Sequence, residues 1–314
     1  MISFGPVPSR RLGKSLGINN IISPKACSYG CVYCQVGKTI KKTIKRSEFF
    51  KPEVIFEKVK EHLNRLSEEN YPDYLTFVSN GEPTLDINLG ESVRLLKETG
   101  IPVAVITNAS LLEYESVRED LSLADWVSLK MDAGDNDTWQ KINCPAPGLD
   151  FEKLNESKNL FASEFKGILC TETMLVDGIN DFAENLTNVA QLIKNLNPAK
   201  AYLSIPIRPP AGFSVKAPDP EKLNHAWQIF NDMNIKTEFL TGFEGTNTGF
   251  TGNIYEDILN ITAVHPLRED SMIKLLENDK AGYEVVESLI RQRLIRVSVY
   301  NGKKFYLREY HHGI

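Results

Sequence analysis

Apolar positions along the chain fall into two alternating rhythms, and the alternation sets the expected architecture. Over residues 51–66, Val54, Ile55, Val59 and Leu63 recur at helical spacing, and 74–78 follows as a short apolar strand. Residues 89–99 are again helical and are closed by Gly100, a residue favoured just past a helix end. Strands are predicted over 103–107, 126–130, 167–176 and 201–207, and helices over 135–142, 151–163, 181–195 and 219–233. Short strands separated by helices indicate βα units and a parallel sheet. With 16–22 as the first strand there are six such units, so the pattern predicts an α/β fold: a partial (β/α)6 TIM-like barrel over residues 1–254.

The final stretch breaks this rhythm. Pro266 is placed to open a helix at its first turn, with Met272, Ile273, Leu275 and Leu276 on its apolar face. A second helix is expected over 281–293, with Val285, Val286, Leu289 and Ile290 inward. Strands over 294–299 and 304–307 flank Tyr300-Asn301-Gly302, and Asn-Gly between alternating segments is a strong hairpin signal. Two helices and a ribbon outline a small winged-helix-like domain over 255–314.

Composition narrows the class. The 314 residues are 42% hydrophobic and 25% charged, the balance of a globular protein with ample core material. No run approaches the roughly 18 apolar residues of a membrane span, and the first residues lack the apolar centre of a signal peptide. No membrane association and a cytoplasmic location are therefore expected. The five cysteines, at 27, 31, 34, 144 and 170, are odd in number and unevenly spaced, which argues against a disulfide framework. Residues 1–51 carry ten Lys or Arg and one acid, net +9, so the remainder carries −14 of the overall −5. A positive rim around the cysteine triplet would attract an anionic substrate or an acidic redox partner. A solvated charged loop is the plainer alternative.

Chemistry concentrates in Cys27-Ser-Tyr-Gly-Cys31-Val-Tyr-Cys34. Three thiolates on one loop can hold three irons of a cubane cluster and leave the fourth open to an outside ligand. A structural zinc site is the competing reading, but it usually takes four ligands in paired C-x2-C knuckles, and only Cys31 and Cys34 have that spacing. One βα unit later stands Asn80-Gly81-Glu82-Pro83-Thr84, where a glycine lets backbone approach a ligand and a carboxylate can meet an ammonium.

C-x3-C-x2-C at the end of a first strand, with the aromatic Tyr33 before the last cysteine, resembles the radical SAM superfamily, and the ordered motifs carry that resemblance over about 1–240. The resemblance implies a 4Fe–4S cluster on Cys27, Cys31 and Cys34, its free iron binding S-adenosylmethionine. It implies reductive cleavage of that cofactor to a 5′-deoxyadenosyl radical, which abstracts hydrogen from a substrate. The 80–84 segment is similar to the family's Gly-Gly-Glu segment, with Asn80 in place of the first glycine, so Gly81, Glu82, Pro83 and Thr84 become cofactor-binding candidates. Ser128-Leu-Lys130 is similar to the Asp-Leu-Lys of radical SAM activating enzymes; Ser128 departs from it, and only Lys130 is carried over.

In a barrel, sites lie at the C-terminal ends of strands, which adds Asn108, Asp132, Glu172 and Met174. Turn formation or helix capping is the alternative for Asn108 and Asp132. Cys170, within an apolar strand, reads as core, whereas Cys144, in Asn143-Cys-Pro-Ala-Pro, reads as a loop residue able to face a substrate. The opening 4–13 segment, with Arg10 and Arg11, and Ile205-Pro-Ile-Arg208 resemble a group of stand-alone radical SAM proteins annotated by analogy with wyosine synthase, a tRNA guanosine-modifying enzyme. Arg10, Arg11 and Arg208 are the candidate substrate-side cations, with a surface ion pair as the alternative for Arg208. The Gly-rich 241–252 segment lacks the Gly-Lys-Ser/Thr ending of a phosphate loop and reads as a connector able to cover a site or join modules. Residues 262–314 carry nine Lys or Arg against seven acids, modest for a nucleic-acid binder.

The resulting expectation is a metal-binding radical SAM enzyme of oxidoreductase or transferase type, with a 4Fe–4S cluster and S-adenosyl-L-methionine as cofactors. A flavodoxin or ferredoxin would be its electron donor. Modification of a tRNA base comes first among substrates, and of a peptide or protein next. The alternative is a non-catalytic iron–sulfur sensor whose winged helix binds DNA or a protein partner. Such a sensor would need neither Glu82 nor an open iron.

Overall fold

The computed structural model describes residues 2–309 apart from 213, 243 and 247, so two positions of the 241–252 connector and the end of the expected C-terminal module lie outside the described residues. The chain opens with a hairpin, β1 (Ser3–Ser9) antiparallel to β2 (Gly13–Ile18). Next come the cysteine loop with its two-residue pair β3 (Ala26–Cys27) and β4 (Lys41–Lys42), then α1 (Pro52–Leu63), β5 (Tyr74–Phe77), α2 (Leu89–Lys97) and β6 (Val103–Thr107). There follow α3 (Glu115–Ser122), β7 (Trp126–Lys130), α4 (Asn136–Asn143), α5 (Phe151–Glu164) and β8 (Ile168–Met174). The barrel part closes with α6 (Ala183–Leu196), β9 (Lys200–Ser204), α7 (Pro220–Asp232) and β10 (Thr237–Leu240).

The main sheet has the order β1-β2-β5-β6-β7-β8-β9-β10, all parallel from β2 onward. It is an open, curled half-barrel, as the alternation predicted, but with seven parallel strands among the described residues rather than six. The additions have physical causes. The first strand stops at Ile18, not at 22, and is flanked by β1, whose two prolines and glycine disguise a strand; proline is tolerated there because β1 is a sheet edge. At the other edge β10 is only four residues long and half-exposed, too short to show periodicity. The unpredicted α3 buries just Val117 and Leu121, one helical turn apart.

Alternate residues of the strands face the outer helices. Leu16, Ile18, Leu75, Phe77, Val103, Val105, Val127 and Leu129 pack in one core with Val59, Val93, Leu96, Leu121 and Ile193 of the helices. On the inner face, Ala104, Trp126, Cys170, Tyr202 and Leu240 form a smaller cluster, so Cys170 is core material. Parallel strands bring all their C-terminal ends to one edge, which is where the polar residues collect.

Beyond the barrel come α8 (Ile254–Thr262), β11 (Leu267–Arg268), α9 (Glu269–Asn278), α10 (Glu284–Arg291), β12 (Ile295–Tyr300) and β13 (Lys303–Arg308). The two expected helices and the ribbon are present. Pro266, however, precedes a strand instead of opening a helix, and β11 adds to the ribbon to make the order β11-β13-β12. The core of this part is shared with the opposite end of the chain: Phe4 and Val7 of β1 pack with Ile258, Met272, Leu275, Val286, Leu289 and Tyr306. Gly17 on β2 makes room for this, since a Cβ there would lie 2.1 Å from the Phe4 ring.

Phe4 is 1% exposed, so Phe4→Ala leaves a cavity where β1 meets the C-terminal helices. The expected loss is about 3–5 kcal/mol of unfolding free energy, measured as a lowered urea midpoint; a change below 1 kcal/mol would show that the two ends of the chain are not packed as one core.

Candidate active site

The cysteine loop leaves β2 and returns beneath the strand ends, held by its own backbone. Lys41 and Thr43 N–H groups donate to the carbonyls of Lys25 and Cys27 (2.9 and 3.0 Å), and Gly30 and Val32 N–H donate to Asn143 and Ile142 at the end of α4 (2.9 and 3.0 Å). The Glu82 N–H donates to Ala26 O at 3.1 Å. This approach requires Gly81: its φ is +142° and a Cβ would fall 1.7 Å from Ala26 O, so no other residue fits.

Each thiol then meets a side-chain nitrogen donor, and Cys27 Sγ accepts from the Tyr29 N–H as well, at 3.4 Å. Asn108 Nδ2 reaches Cys27 Sγ at 3.6 Å, Asn143 Nδ2 reaches Cys31 Sγ at 3.4 Å, and Lys25 Nζ reaches Cys34 Sγ at 2.9 Å. Burial pushes the thiols of Cys27 and Cys31 up, the latter to about 12. Burial acts on Cys34 in the same sense, but the Lys25 ammonium outweighs it and brings that thiol below its ordinary range. Among the described residues no three His, Cys, Asp or Glu side chains meet as ligands of a single ion do. The three thiols instead line the wall of a cavity, a spread that suits a polynuclear cluster with one thiolate per iron.

That cavity, of about 260 Å³, is lined by Cys27, Cys31, Cys34, Tyr33, Gly81, Glu82, Asn108, Lys130, Glu172 and Met174, and by Arg10, Arg11 and Arg208. The topology thus brings together nearly every residue singled out above. Pro83 and Thr84 are buried behind Glu82 rather than on the wall. Asp132 is also behind it, its side chain wholly enclosed: it accepts from Tyr33 Oη, from Asn143 Nδ2 at 2.8 Å and from the Met174 N–H at 2.8 Å. Its part is to position Tyr33 and the end of β8. Cys144, expected to face a substrate, does not line the cavity; it sits in the left-handed conformation at the end of α4, on the Gly30 side of the cysteine loop, and its thiol donates to Lys141 O.

The acids of the cavity are all engaged. Glu82, 2% exposed, accepts from Thr84 N–H and Oγ1 (3.1 and 2.7 Å), Thr107 Oγ1 (2.5 Å) and Asn108 N–H (2.8 Å). Three of these fall on Oε1, leaving Oε2 with one remaining acceptor position. Glu172 pairs with Arg11, Lys130 (3.3 Å) and Ser204 Oγ (2.9 Å). Burial opposes its charge, yet Arg11 and Lys130 hold it down at about 2. Lys130 also lies 3.4 Å from Asp132 and over the Tyr33 ring at 5.1 Å.

Sequence reasoning missed Glu244, Gln35 and His265. Arg208 is paired with Glu244, bonds Gln35 Oε1 at 3.1 Å and donates to His265 Nε2 at 3.0 Å; Arg10 lies 3.7 Å from the same Glu244. Burial and the neighbouring guanidinium push His265 down to about 3, so it is neutral and free to accept. The three candidate substrate cations are therefore at the cavity, but each is held by a carboxylate. Gln35 Nε2 also reaches Val264 O at 3.4 Å, tying the cysteine loop to the C-terminal part.

Comparison with known proteins agrees with this arrangement. A sequence model of the Radical SAM superfamily matches residues 21–190. The chain is 46% identical over 310 residues to a UPF0026 protein of Methanocaldococcus jannaschii, covering 98% of this chain and 96% of the relative. It is 25% identical over 177 residues to the S-adenosyl-L-methionine-dependent tRNA 4-demethylwyosine synthase of the same organism, 49% of this chain and 54% of that one. Among solved structures, TYW1 with a lysine–pyruvate adduct bound superposes with a TM-score of 0.51 at 16% identity, covering 95% of this chain and 82% of that one, a likeness of fold.

The Glu172 pairs set a pH dependence. Its folded pKa lies below its unfolded value of roughly 4.3, so its contribution is present above pH ~4.3 and is lost as pH falls toward 2. Glu172→Gln should remove a pH-dependent share of about 1–3 kcal/mol, read as a shallower fall of the urea midpoint between pH 5 and pH 3. Parallel pH curves for the two proteins would show that Glu172 is not held by Arg11 and Lys130.

Proposed function

The chain belongs to the radical SAM superfamily, and on that premise we propose that Cys27, Cys31 and Cys34 hold a 4Fe–4S cluster beside a site for S-adenosylmethionine. The observation that supports this best is the set of three thiols, each with its own nitrogen donor, on the wall that also carries Gly81, Glu82, Asn108 and Lys130. Donors to sulfur stabilise thiolate charge and tune a cluster's potential. When bound, cluster and cofactor together supply one-electron cleavage of the sulfonium and a radical able to abstract hydrogen.

The chain's own residues do the placing. Gly81, without a Cβ, lets the cysteine loop close on the turn after β5 and so brings Glu82 to the cavity wall, where Oε2 keeps one acceptor position that the cofactor's ammonium would fill. Lys130, fixed by Asp132 and Glu172 on the same wall, would supply the cation for the cofactor carboxylate. Tyr33, held by Asp132, lines the side next to Cys34, and Met174 contributes to the apolar lining together with Val78, Ile106, Ile205 and Leu240. Arg10, Arg11 and Arg208, each already matched to a carboxylate, orient a substrate through their remaining N–H groups.

For the substrate, a tRNA base is the reading we favour. Support comes from the tRNA-acting relative and from the basic 1–51 segment, whose Lys38, Lys41 and Lys42 are exposed beside the cysteine loop. The same lysines suit an acidic one-electron donor of flavodoxin or ferredoxin type, in a reducing compartment where the thiols stay free. No helix among the described residues is long and apolar enough to cross a membrane.

Anaerobic reconstitution, dithionite reduction and addition of S-adenosylmethionine should release 5′-deoxyadenosine, and Cys34→Ala should release none. A full cluster whose EPR signal ignores S-adenosylmethionine, with no product formed, would refute the enzyme reading. In the same assay Gly81→Ala should lower iron content per chain, because its Cβ would displace the carbonyl that anchors the Cys27 strand.

A further inference from the structure

A second cavity, of about 310 Å³, lies between the β9–α7 loop and the C-terminal ribbon. It shares Ile205, Pro206, Ile207 and Arg208 with the cavity beside the cysteines, so one stretch of chain is the partition between the two. Its size is at the lower end of small-ligand sites, roughly 300–1,000 Å³. Its wall includes Arg208, Arg268 and Lys303 and no carboxylate among the described residues. Arg268 is aimed by its pair with Asp270, and Arg208 by Glu244, neither acid lining the second cavity. Ser271 and Thr241 add hydroxyls. The Tyr300 hydroxyl donates to Pro206 O at 3.3 Å, fastening the ribbon turn to the partition.

We propose that this second cavity binds a phosphate group of the substrate, with the reacting end of the same molecule in the adjoining cysteine-lined cavity. Two guanidiniums and an ammonium around a site free of carboxylates form the donor set that phosphate oxygens fill: forked N–H pairs from arginine, a point charge from lysine. The hydroxyls supply neutral donors of the kind that fix orientation. This assigns the C-terminal module a role, since Arg268, Ser271 and Lys303 all come from it, whereas Arg208 comes from the barrel. The module then selects substrates by the distance between a phosphate and the reacting atom. The inference rests on the enzyme reading above but adds Arg268, Ser271 and Lys303, none of which lines the cysteine-lined cavity.

Equilibrium dialysis with the four nucleoside 5′-monophosphates and the four unphosphorylated nucleosides tests it on the full chain. At least one monophosphate should bind about tenfold more tightly than its nucleoside. Lys303→Gln, on the exposed ribbon, and Arg268→Gln should each remove most of that difference, and Lys303→Arg should keep it, all three variants retaining the wild-type melting temperature. Equal binding of monophosphate and nucleoside, or variants that bind the monophosphate as wild type does, would overturn the proposal. A short single-stranded RNA separates the sources of phosphate: competition by RNA in wild type and not in Lys303→Gln assigns the cavity to an RNA phosphate, and monophosphate binding without competition assigns it to a free nucleotide. The 5′-deoxyadenosine assay on wild type keeps the two readings apart. Phosphate-dependent binding without that product would leave the cavity assigned and remove the radical chemistry, and product without phosphate-dependent binding would do the reverse.

Discussion

A carboxylate at 2% exposure has lost its water, and the protein must replace it; at Glu82 this requirement organises the mouth of the barrel. Four donors from the end of β6 and from the turn after β5 converge on it, while its own N–H reaches back to Ala26 in the cysteine loop. Strand ends that would otherwise splay are thereby drawn to one point. Asp132 repeats the device two strands further on, gathering Tyr33, Asn143 and the last residue of β8. Two buried carboxyl groups, Glu82 held by neutral donors and Asp132 by neutral donors and the Lys130 ammonium, thus fix where the thiols stand.

How much of this was legible follows from where the information resides. The cysteine spacing and the Gly81-Glu82 step are local, and the strand–helix alternation repeats often enough to be read, so the half-barrel and most of its wall were visible. Partnerships between distant segments were not. Nothing near Asn143 announces Cys31, and Glu244 sits in a glycine-rich connector with no periodicity. Asp132 was recognised as polar at a strand end, but only the fold shows that it faces backward, into Tyr33 and Asn143. Cys144 looked available because its loop is proline-flanked; the left-handed turn at the end of α4 carries it away from the cavity. β1 was hidden by its prolines, which an edge position excuses.

Arg208 is where the two parts of the molecule exchange constraints. It closes a chain of contacts from Gln35, beside the last cysteine, through Glu244 in the connector to His265 at the entry to the C-terminal part. His265, held neutral, can only accept from it, so the guanidinium has a single consistent orientation. A shift of the C-terminal part would be felt at the cysteine loop through side chains that are already charged or committed. The loop is braced from outside the barrel as well as from within it.

The shared core of Phe4, Val7 and the C-terminal helices has a consequence for how the protein is made. β1 leaves the ribosome well before its partners around Ile258, Leu275 and Leu289, which lie more than 250 residues further along the chain. At about 5–20 residues per second the wait is roughly 15–60 s. Throughout it β1 has β2 to pair with but no cover for Phe4, an aromatic side chain at the edge of a nascent sheet. Chains growing side by side on one message would each offer that edge to a neighbour's finished C-terminal helices, so fidelity of assembly depends on translation outpacing such encounters.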